Sequence, residues 1–431
     1  MGDARVLIVG GGARNHALGV ALERSPSVQK VVFAPGTTGL ERLGYETAPV
    51  SSQDFPGLCE LAEMEAFDLT VVGPNTPLVM GLVDRFTERE LPIFGPPKAA
   101  ARLEGSKVFA RLLMSQLAIP TPRFGICNNA DRALHLARTQ SWARVFKADG
   151  IAYGKGVRVT QHLSEVEGAL RDVLEENVYG LESEQIVVEQ RIDGREVTVF
   201  SLCDGDEVCI LGYVRNHPRL EDGEQGPPTR SMGQVFPAPE IDERWARQIE
   251  DEILRPTVQA MRERGTPFRG ALFVDLMLAG SRIYVIDYNV RFGDPATQTM
   301  LSAYRGDFYA CLQACRGVGD LRAAVDALEL DPRPRVSLVL VCEGYPERAV
   351  RGDRIEIDEA SFRQSEVDLY LDGVRWVPPA EGHAGWIETT GGRVCTVVAP
   401  GETVDEARAL AYRAAEWVRF RGRHLRRDIG L

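Results

Sequence analysis

The stretch spanning residues 284–295, Tyr-Val-Ile-Asp-Tyr-Asn-Val-Arg-Phe-Gly-Asp-Pro, constrains the fold most strongly. Its first half is rich in β-forming residues. Side chains alternate between the two faces of a strand, so Asp287 and Asn289 leave the same face. Two oxygen donors on one rigid face suit Mg²⁺, which prefers oxygen ligands and retains substrate phosphates in its coordination shell. The pattern therefore predicts a nucleotide-metal site on a strand.

A second strand is predicted just upstream, at residues 271–278, and the turn residues after it indicate a β-hairpin. If the loop spans residues 280–282, Asp275 lies directly opposite Asp287, with Cβ atoms roughly 5 Å apart. Two carboxylates that close repel each other unless a cation lies between them. The alternative is a solvated acidic sheet face, and a one-residue change in the loop would remove Asp275 from the site.

Composition and charge narrow the class of protein. A chain of 431 residues is long enough for two to four packed units. The net charge of −12 argues against a nucleic-acid or anionic-membrane partner. No apolar run approaches the roughly 20 residues that span a bilayer, and the first residues lead into a strand instead of a signal peptide. Eight cysteines without a Cys-x-x-Cys pair indicate core thiols. We therefore expect a cytoplasmic monomer or homodimer.

The first hundred residues predict an anion site. A short apolar strand at residues 5–9 runs into a glycine-rich turn and a helical pattern, and free N–H groups at a helix N-terminus attract anions. Two more predicted strands, 30–34 and 68–73, end in loops that should converge with this turn. A NAD-dependent oxidoreductase would need an acidic residue where this chain has Ala34-Pro35. The pattern therefore favours a phosphate or sugar phosphate over a dinucleotide.

The middle of the chain carries further signals for phosphate binding. Lys147 lies in an apolar strand at residues 144–148, so it either snorkels at an edge or faces a charged ligand. Residues 149–156 form a glycine-rich stretch before another strand, the pattern of a flap over nucleotide phosphates without a Walker motif. An ordinary hairpin loop is the alternative. Residues 217–232 form a long polar stretch that should be functional or disordered.

Many short motifs, in one order along nearly the whole chain, resemble the ATP-grasp ligases and, within them, the glycinamide ribonucleotide synthetases. The motifs occupy residues 10–17, 34–36, 72–74, 94–96, 103–107, 147–156, 289–295, 344–346, 391–394 and 427–430. So many motifs in the same order make a chance match negligible.

The resemblance implies an α/β and α+β multidomain fold with four units. They are a Rossmann-like N-terminal domain for the amine or phosphoribosyl substrate at 1–103, a small ATP-grasp subdomain with the flap at 104–190, a central metal-binding ATP-grasp subdomain at 191–330, and a small β-rich C-terminal domain at 331–431. The two ATP-grasp subdomains would clamp ATP between them.

The implied activity is ATP-dependent amide formation. The carboxylate of an amino acid takes the γ-phosphoryl group of ATP, and an amine attacks the resulting acyl phosphate. The protein contributes positioning and charge neutralisation. The resemblance thus implies ATP and Mg²⁺ (or Mn²⁺) as cofactors, and a small carboxylate and a small amine as partners.

The resemblance also assigns residues to roles. The ATP-binding positions are Lys107, Lys147, Gly150, Gly154, Gly156, Glu189 and Glu196, with Glu189 at the adenine and Glu196 near the ribose. The metal ligands are Asp287 and Asn289, joined by Asp275, where related ATP-grasp enzymes carry an acidic ligand. The catalytic positions are Arg291, which would stabilise the acyl phosphate, Lys155 in the flap, Arg230 and His217. The substrate-binding positions are Gly10, Gly12, Arg14, Asn15, Gly36, Asn75 and Asp294.

Several positions depart from the family pattern at loops expected to meet the substrates. Two carboxylates are replaced by the amides of Asn15 and Asn75, and the glutamate after Phe-Gly-Asp-Pro becomes Ala296. Arg230 enters a glycine-rich loop, where it could pair with a second carboxylate or phosphate on a substrate. The alternative for Arg230 is a solvated loop arginine. His217 is a candidate general base for the amine, with a structural histidine as its alternative.

The departures predict a ligase with an altered acid or amine, in a biosynthetic pathway that could serve specialised metabolism. The alternative is an authentic phosphoribosylamine-glycine ligase of purine biosynthesis. A catalytically silent ATP-binding protein is disfavoured, because such a protein has no chemical reason to keep the lysines, the metal ligands and Arg291 together.

Overall fold

The computed structural model describes residues 2–150, 156–175, 185–380 and 384–431. The N-terminal unit is a five-stranded parallel sheet in the order β3-β2-β1-β4-β5. Its strands are β1 (Ala4–Gly10), β2 (Val28–Pro35), β3 (Glu46–Thr47), β4 (Leu69–Val72) and β5 (Ile93–Phe94). Its helices are α1 (Ala13–Glu23), α2 (Thr38–Arg42), α3 (Phe55–Met64), α4 (Asn75–Met80), α5 (Leu82–Glu88) and α6 (Lys98–Gly105). The central strands are apolar on both faces because helices cover both sides.

The second unit is a four-stranded antiparallel sheet in the order β6-β9-β7-β8. Its strands are β6 (Phe124–Cys127), β7 (Ala143–Ala148), β8 (Val157–Val159) and β9 (Ile186–Gln190). The helices are α7 (Lys107–Gln116), α8 (Ala130–Thr139) and α9 (Val166–Glu175), the last preceded by a 3-10 turn at Leu163–Glu165. Phe146 packs into the core beneath the helices. Because faces alternate, Lys147 leaves the opposite side of β7.

The third part is an eight-stranded antiparallel sheet in the order β16-β15-β10-β11-β14-β19-β24-β21. The strands from here onward are β10 (Arg195–Asp204), β11 (Val208–Asn216), β12 (Arg219–Glu221), β13 (Gln225–Pro228), β14 (Gly233–Phe236), β15 (Arg269–Ala279), β16 (Arg282–Asn289), β17 (Tyr304–Arg305), β18 (Glu329–Leu330), β19 (Arg335–Val341), β20 (Arg354–Ile357), β21 (Asp368–Leu371), β22 (Val374–Val377), β23 (Trp386–Thr389), β24 (Arg393–Pro400) and β25 (Val418–Arg419). The pairing of β14 with β19 carries this sheet across the proposed boundary at residue 331.

Helices of the same part pack around the sheet. They are α10 (Glu243–Ile249), which continues through a π-helical turn at Glu250–Leu254 into α11 (Arg255–Glu263), then α12 (Ala296–Leu301), α13 (Phe308–Cys315), α14 (Leu321–Asp326), α15 (Glu359–Arg363) and α16 (Val404–Ala415). The last helix covers β19 and β24 with its buried alanines, so the C-terminal strands have their own core.

The β15/β16 hairpin confirms the predicted pairing of Asp275 with Asp287. The predicted three-residue loop was wrong, because Ala279 pairs with Arg282 and leaves a two-residue turn. A bulge between Asp275 and Leu276 then shifts the register by one residue and restores the pairing. Gly280 adopts φ +60 in the turn, a conformation that glycine tolerates without strain.

The polar stretch at residues 217–232 is ordered into a hairpin. Strands β12 and β13 pair with each other as a separate two-stranded sheet. The stretch ends at Met232, which is fully buried beside β19. A segment without apolar periodicity is therefore ordered by its contacts with other parts of the chain.

Two observations bear on the environment of the protein. All eight cysteines are buried and free, so none is in a disulfide. Within the four described ranges, no helix is both long enough and apolar enough to cross a membrane.

Candidate active site

Two adjoining cavities lie between the N-terminal unit, the small antiparallel sheet and the β15/β16 hairpin. Cavity A has a volume of about 380 Å³ and is lined by Asn75, Lys107, Asp275, Arg291 and Asp294, among others. Cavity B has a volume of about 600 Å³ and is lined by Lys147, Glu189, Arg191, His217 and Glu224, among others. Both cavities share Val157, Glu196, Asn216, Pro218 and Asp287. Charged groups from all three parts of the fold therefore meet around one continuous space.

The three predicted metal ligands converge on cavity A. Asn289 Nδ2 donates a hydrogen bond of 2.8 Å to Asp275 Oδ2, and Asn289 Oδ1 accepts one of 2.9 Å from Arg291. The Thr198 hydroxyl donates to the other oxygen of Asp275. These contacts orient the oxygen donors of β15 and β16 toward the same cavity.

Both predicted phosphate-binding lysines reach Asp287. Lys107 Nζ lies 2.6 Å from Asp287 Oδ1, and Lys147 Nζ lies 3.6 Å from Oδ2. Lys107 is the first residue of α7, whose N-terminus is capped by the hydroxyl of Ser106. Burial alone would raise the pKa of Asp287, but the two lysines hold it well below its usual range. Asp287 therefore stays ionised between two cations, of which Lys107 lines cavity A and Lys147 lines cavity B.

Glu189 fixes the position of Lys147 through an ion pair. Its carboxylate is buried, with Oε2 3.2 Å from Lys147 Nζ and Oε1 accepting a hydrogen bond of 2.6 Å from Arg111 Nε. Burial opposes ionisation, yet Lys147 and Arg111 keep the pKa of Glu189 below its usual value. Arg111 also donates to the backbone carbonyls of Val285 and Ile286, which joins α7 to β16. Arg111 escaped the sequence analysis, although it lies one helical turn after Lys107.

Replacement of Glu189 by glutamine is expected to lower the free energy of unfolding by about 3–5 kcal/mol, because it leaves two buried cations without their carboxylate. Urea denaturation of the purified variant measures this change. Glu167→Gln is the matched control, since Glu167 pairs with Arg138 on the surface and both side chains are more than half exposed. An equal, small effect of the two substitutions would contradict a buried charge network.

The carboxylates of Glu196, Asp275 and Asp287 are close enough to repel one another. Burial, and after it the charge of Asp275, raises the pKa of Glu196 to about 8. Burial and the charge of Asp287 also raise the pKa of Asp275. A bound cation would relieve this repulsion. The described residues contain no cluster of three or more His, Cys, Asp or Glu side chains with metal-binding geometry, so the amide oxygen of Asn289 would complete the oxygen donors.

Glu104 links the first-domain loop to Arg291, although no local sequence pattern marks it as functional. The carboxylate is buried, and Oε1 accepts a hydrogen bond of 2.8 Å from Asn75 Nδ2. Arg291 Nε lies 3.6 Å from the same oxygen, while Oε2 accepts from the backbone N–H of Val290. Asn75 is therefore connected to Arg291 through Glu104, and it also lines cavity A.

An arginine-rich corner closes one end of cavity A. Arg14 and Arg230 line it together with Arg291 and Asp294. Arg393 is ion-paired with Asp294 and lies 3.1 Å from Asp372. Burial, followed by the charge of Arg291, lowers the pKa of Arg14 to about 9. Its Nε atom has no hydrogen-bond partner among the described residues. The corner therefore suits an anionic group of a ligand.

The remaining first-domain positions support the loops. Asn15 is buried, and its Nδ2 donates 2.9 Å to the Val9 carbonyl, so it packs behind the glycine turn. A Cβ on Gly10 would lie 2.4 Å from that amide, and one on Gly36 would lie 2.5 Å from Thr47. A Cβ on Gly12 would lie 2.7 Å from Asp372 Oδ1. A carboxylate of the chain itself thus faces the helix N-terminus where an anion was predicted.

The predicted flap is described only at its ends. Gly150 and Gly156 line cavity A, whereas Gly154 and Lys155 lie outside the described residues. His217 lines cavity B instead of cavity A, and its Nδ1 lies 3.3 Å from Glu224 Oε1. His217 therefore shares a cavity with Lys147 and Glu189 and not with Arg291.

A small antiparallel sheet and a larger one that meet around charged cavities are typical of the ATP-grasp carbon-nitrogen ligases, a class whose members bind ATP with a divalent metal ion. The fold agrees with that of a biotin carboxylase from Campylobacter jejuni solved with β-γ-ATP, at a TM-score of 0.69 and 15% identity, covering 97% of this chain and 92% of that chain. Three family profiles match in order: Phosphoribosylglycinamide synthetase N domain at residues 4–104, ATP-grasp (A) domain at 105–297 and C domain at 335–431. The chain belongs to the phosphoribosylglycinamide synthetase family.

Relatives within this family match end to end. The phosphoribosylamine-glycine ligase of Xylella fastidiosa is 38% identical over 428 residues, 99% of this chain and 96% of the relative. That of Caldanaerobacter subterraneus is 35% identical over 426 residues, 99% of both chains. The crystal structure of phosphoribosylamine-glycine ligase from Thermotoga maritima has a TM-score of 0.78 and 30% identity, covering 99% of this chain and 100% of that one.

Proposed function

We propose that this protein joins glycine to phosphoribosylamine, with conversion of ATP to ADP and phosphate, as a step of purine biosynthesis. The observation that carries the proposal is the end-to-end similarity to phosphoribosylamine-glycine ligases, at 35% to 38% identity. The departures at Asn15, Asn75 and Arg230 had favoured altered substrates. The relatives support glycine and phosphoribosylamine as the substrates better. Asn15 packs behind the glycine turn, so a change between amide and carboxylate at this position acts on the loop and not directly on a substrate.

In the proposed reaction, a carboxylate oxygen of glycine attacks the γ-phosphorus of ATP, and the bond to the ADP oxygen breaks. The amine nitrogen then attacks the acyl carbon, the carbon-oxygen bond to phosphate breaks, and the nitrogen loses a proton. Lys107 and Lys147 neutralise the ATP phosphates, and Arg291 neutralises the charge that develops at the acyl group. Asp275, Asp287 and Asn289 would hold Mg²⁺ or Mn²⁺, which supplies further charge neutralisation when bound.

The arginine-rich corner offers a place for the phosphate of phosphoribosylamine. Arg14 and Arg230 line cavity A at the end beside the first-domain loops, and a phosphate there would lower the mutual repulsion of the guanidinium groups. A second candidate follows from the same observation. If the corner binds a second carboxylate of the acid, the enzyme joins a dicarboxylic amino acid to an amine that need not carry phosphate.

Phosphate release and amide formation, measured with purified enzyme, ATP and Mg²⁺, test the proposal. Glycine with freshly generated phosphoribosylamine should give turnover, and neither aspartate, glutamate nor an unphosphorylated amine should replace them. Turnover with another acid or amine, and none with that pair, would overturn the proposal. Arg230→Gly separates the two candidates, since it should raise the KM for phosphoribosylamine if the corner binds phosphate and relax the choice of acid if it binds a carboxylate.

A further inference from the structure

The β12/β13 hairpin lies at the junction of both cavities. Its flanking residues Pro218, Thr229 and Arg230 line cavity A. Arg219 and Glu224, within the hairpin, line cavity B. The hairpin forms its own two-stranded sheet, so its position over the cavities depends on the packing of Leu220 near β19 and on polar contacts with the end of the chain.

Those contacts come from residues 424–428, here named the 424–428 segment. Arg426 Nη1 donates 2.7 Å to Glu224 Oε1 and 3.2 Å to the Arg219 carbonyl. Asp428 accepts from the backbone N–H of Gly223 at 2.7 Å. The backbone N–H of Arg427 donates 2.7 Å to Asp222, so the segment contacts β12 and the tip of the hairpin.

Arg426 is the centre of this arrangement. Its side chain is only 1% exposed, and its Nε and Nη2 atoms donate 2.8 Å and 2.7 Å to the two oxygens of Asp428. The bidentate pair fixes the plane of the guanidinium, which leaves Nη1 aimed at the hairpin. The segment itself is anchored on the C-terminal core, because the Tyr412 hydroxyl of α16 donates to the Arg426 carbonyl and accepts from the Ile429 N–H.

Glu224 extends the arrangement into cavity B. The oxygen that accepts from Arg426 lies 3.3 Å from His217 Nδ1. Although burial opposes ionisation, the hydrogen bonds from His217 and Arg426 keep the pKa of Glu224 below its usual value. A charged acceptor on Nδ1 fixes the orientation of the imidazole ring and its tautomer.

We propose that the 424–428 segment is a clasp that holds the β12/β13 hairpin over the two cavities, and that Arg426 is its positioning residue. Arg426 acts through Glu224 on His217 and through the hairpin on the loop that carries Arg230. The side chain lines cavity B as well, but none of its described hydrogen bonds is made to the predicted metal ligands or phosphate-binding lysines.

Arg426→Ala is expected to lower kcat/KM for ATP about tenfold or more, with a rise in the KM for ATP as part of that change. Arg426→Lys should recover part of the loss, since an ammonium reaches Glu224 or Asp428 but not both in the bidentate geometry. Arg421→Ala is the matched control, because Arg421 pairs with Asp353 and is 79% exposed. It should leave the kinetic constants unchanged.

Trypsin cleavage after Arg219 separates a clasp from general support of the fold. Arg426→Ala should speed cleavage there about tenfold at a temperature well below the thermal midpoints of both proteins, and ATP should protect it less than it protects the parent protein. Glu224→Gln is a milder variant, and in combination with Arg426→Ala it should add little to the single effect. Additive effects, or a fall in activity that follows thermal stability alone, would overturn the clasp.

The kinetic effect rests on the ligase activity proposed above, whereas the proteolysis needs no acid or amine. If the parent protein binds ATP but turns over no substrate pair, the proposed function fails and the clasp is still tested by cleavage. If the parent protein is active and Arg426→Ala matches it in cleavage and in kcat/KM, the clasp alone fails.

Discussion

Replacement of Asp287 by asparagine is expected to lower ATP-dependent phosphate release on the order of 10³-fold. The substitution keeps the shape of the side chain but removes a carboxylate oxygen from the proposed metal site. It also removes the partner of Lys107 at 2.6 Å and of Lys147 at 3.6 Å. The two cations then repel each other in a partly buried space, so both the metal ion and the phosphates lose their fixed geometry.

Asp287→Glu should retain part of the activity, because it keeps a carboxylate for the metal ion and for Lys107 and Lys147. Asp206→Asn is the matched control, because Asp206 pairs with Arg262 on the surface and is 65% exposed. Circular dichroism of all three variants separates a lost fold from a lost site. A near-parental rate for Asp287→Asn would show that Asp287 neither binds the metal ion nor orients the lysines.

Arg291→Lys is expected to lower kcat by about 10²–10³-fold while leaving the affinity for ATP nearly unchanged. The guanidinium makes three contacts, with Asn289 Oδ1 at 2.9 Å, the Phe292 carbonyl at 3.1 Å and Glu104 at 3.6 Å. A lysine keeps the charge but cannot satisfy this planar set of partners. The loss should therefore fall on the step in which charge develops at the acyl carbon.

Single-turnover quench measurements distinguish the step that Arg291 serves. Arg262→Lys is the control, since Arg262 is 52% exposed and distant from cavity A in its surface pair with Asp206. If Arg291→Lys raised the Kd for ATP and left the single-turnover rate intact, Arg291 would be a nucleotide ligand instead of a group that neutralises the acyl phosphate.

Local sequence patterns were sufficient to predict the part of the site that lies on a single strand. Alternation placed Asp287 and Asn289 on one face, and the apolar run of β1 before a glycine turn identified a parallel sheet. Even there, the pairing of Asp275 with Asp287 was obtained with the wrong loop length. A bulge compensated for the shorter turn, and nothing in a run of apolar residues marks where a bulge will fall.

Local sequence patterns could not predict the contacts between distant segments. Glu189 is paired with Arg111 across 78 positions, and Arg426 with Glu224 across 202 positions. Neither partner has a spacing that reveals the other. Asp372, from the C-terminal part, lies near the glycine turn before α1, where helix geometry alone predicted a ligand anion. Local sequence patterns do not reveal such charged contacts, because the segments meet only in the folded sheet.

The transfer of ¹⁸O from glycine to phosphate tests the proposed chemistry most directly. Glycine labelled in both carboxylate oxygens is incubated with enzyme, ATP, Mg²⁺ and phosphoribosylamine, and the released phosphate is analysed by mass spectrometry. The expected result is one ¹⁸O atom in the phosphate for each amide formed, because the carboxylate oxygen that attacks the γ-phosphorus leaves with it. Phosphate without ¹⁸O, alongside amide formation, would contradict an acyl phosphate and with it the roles given to Arg291 and the two lysines.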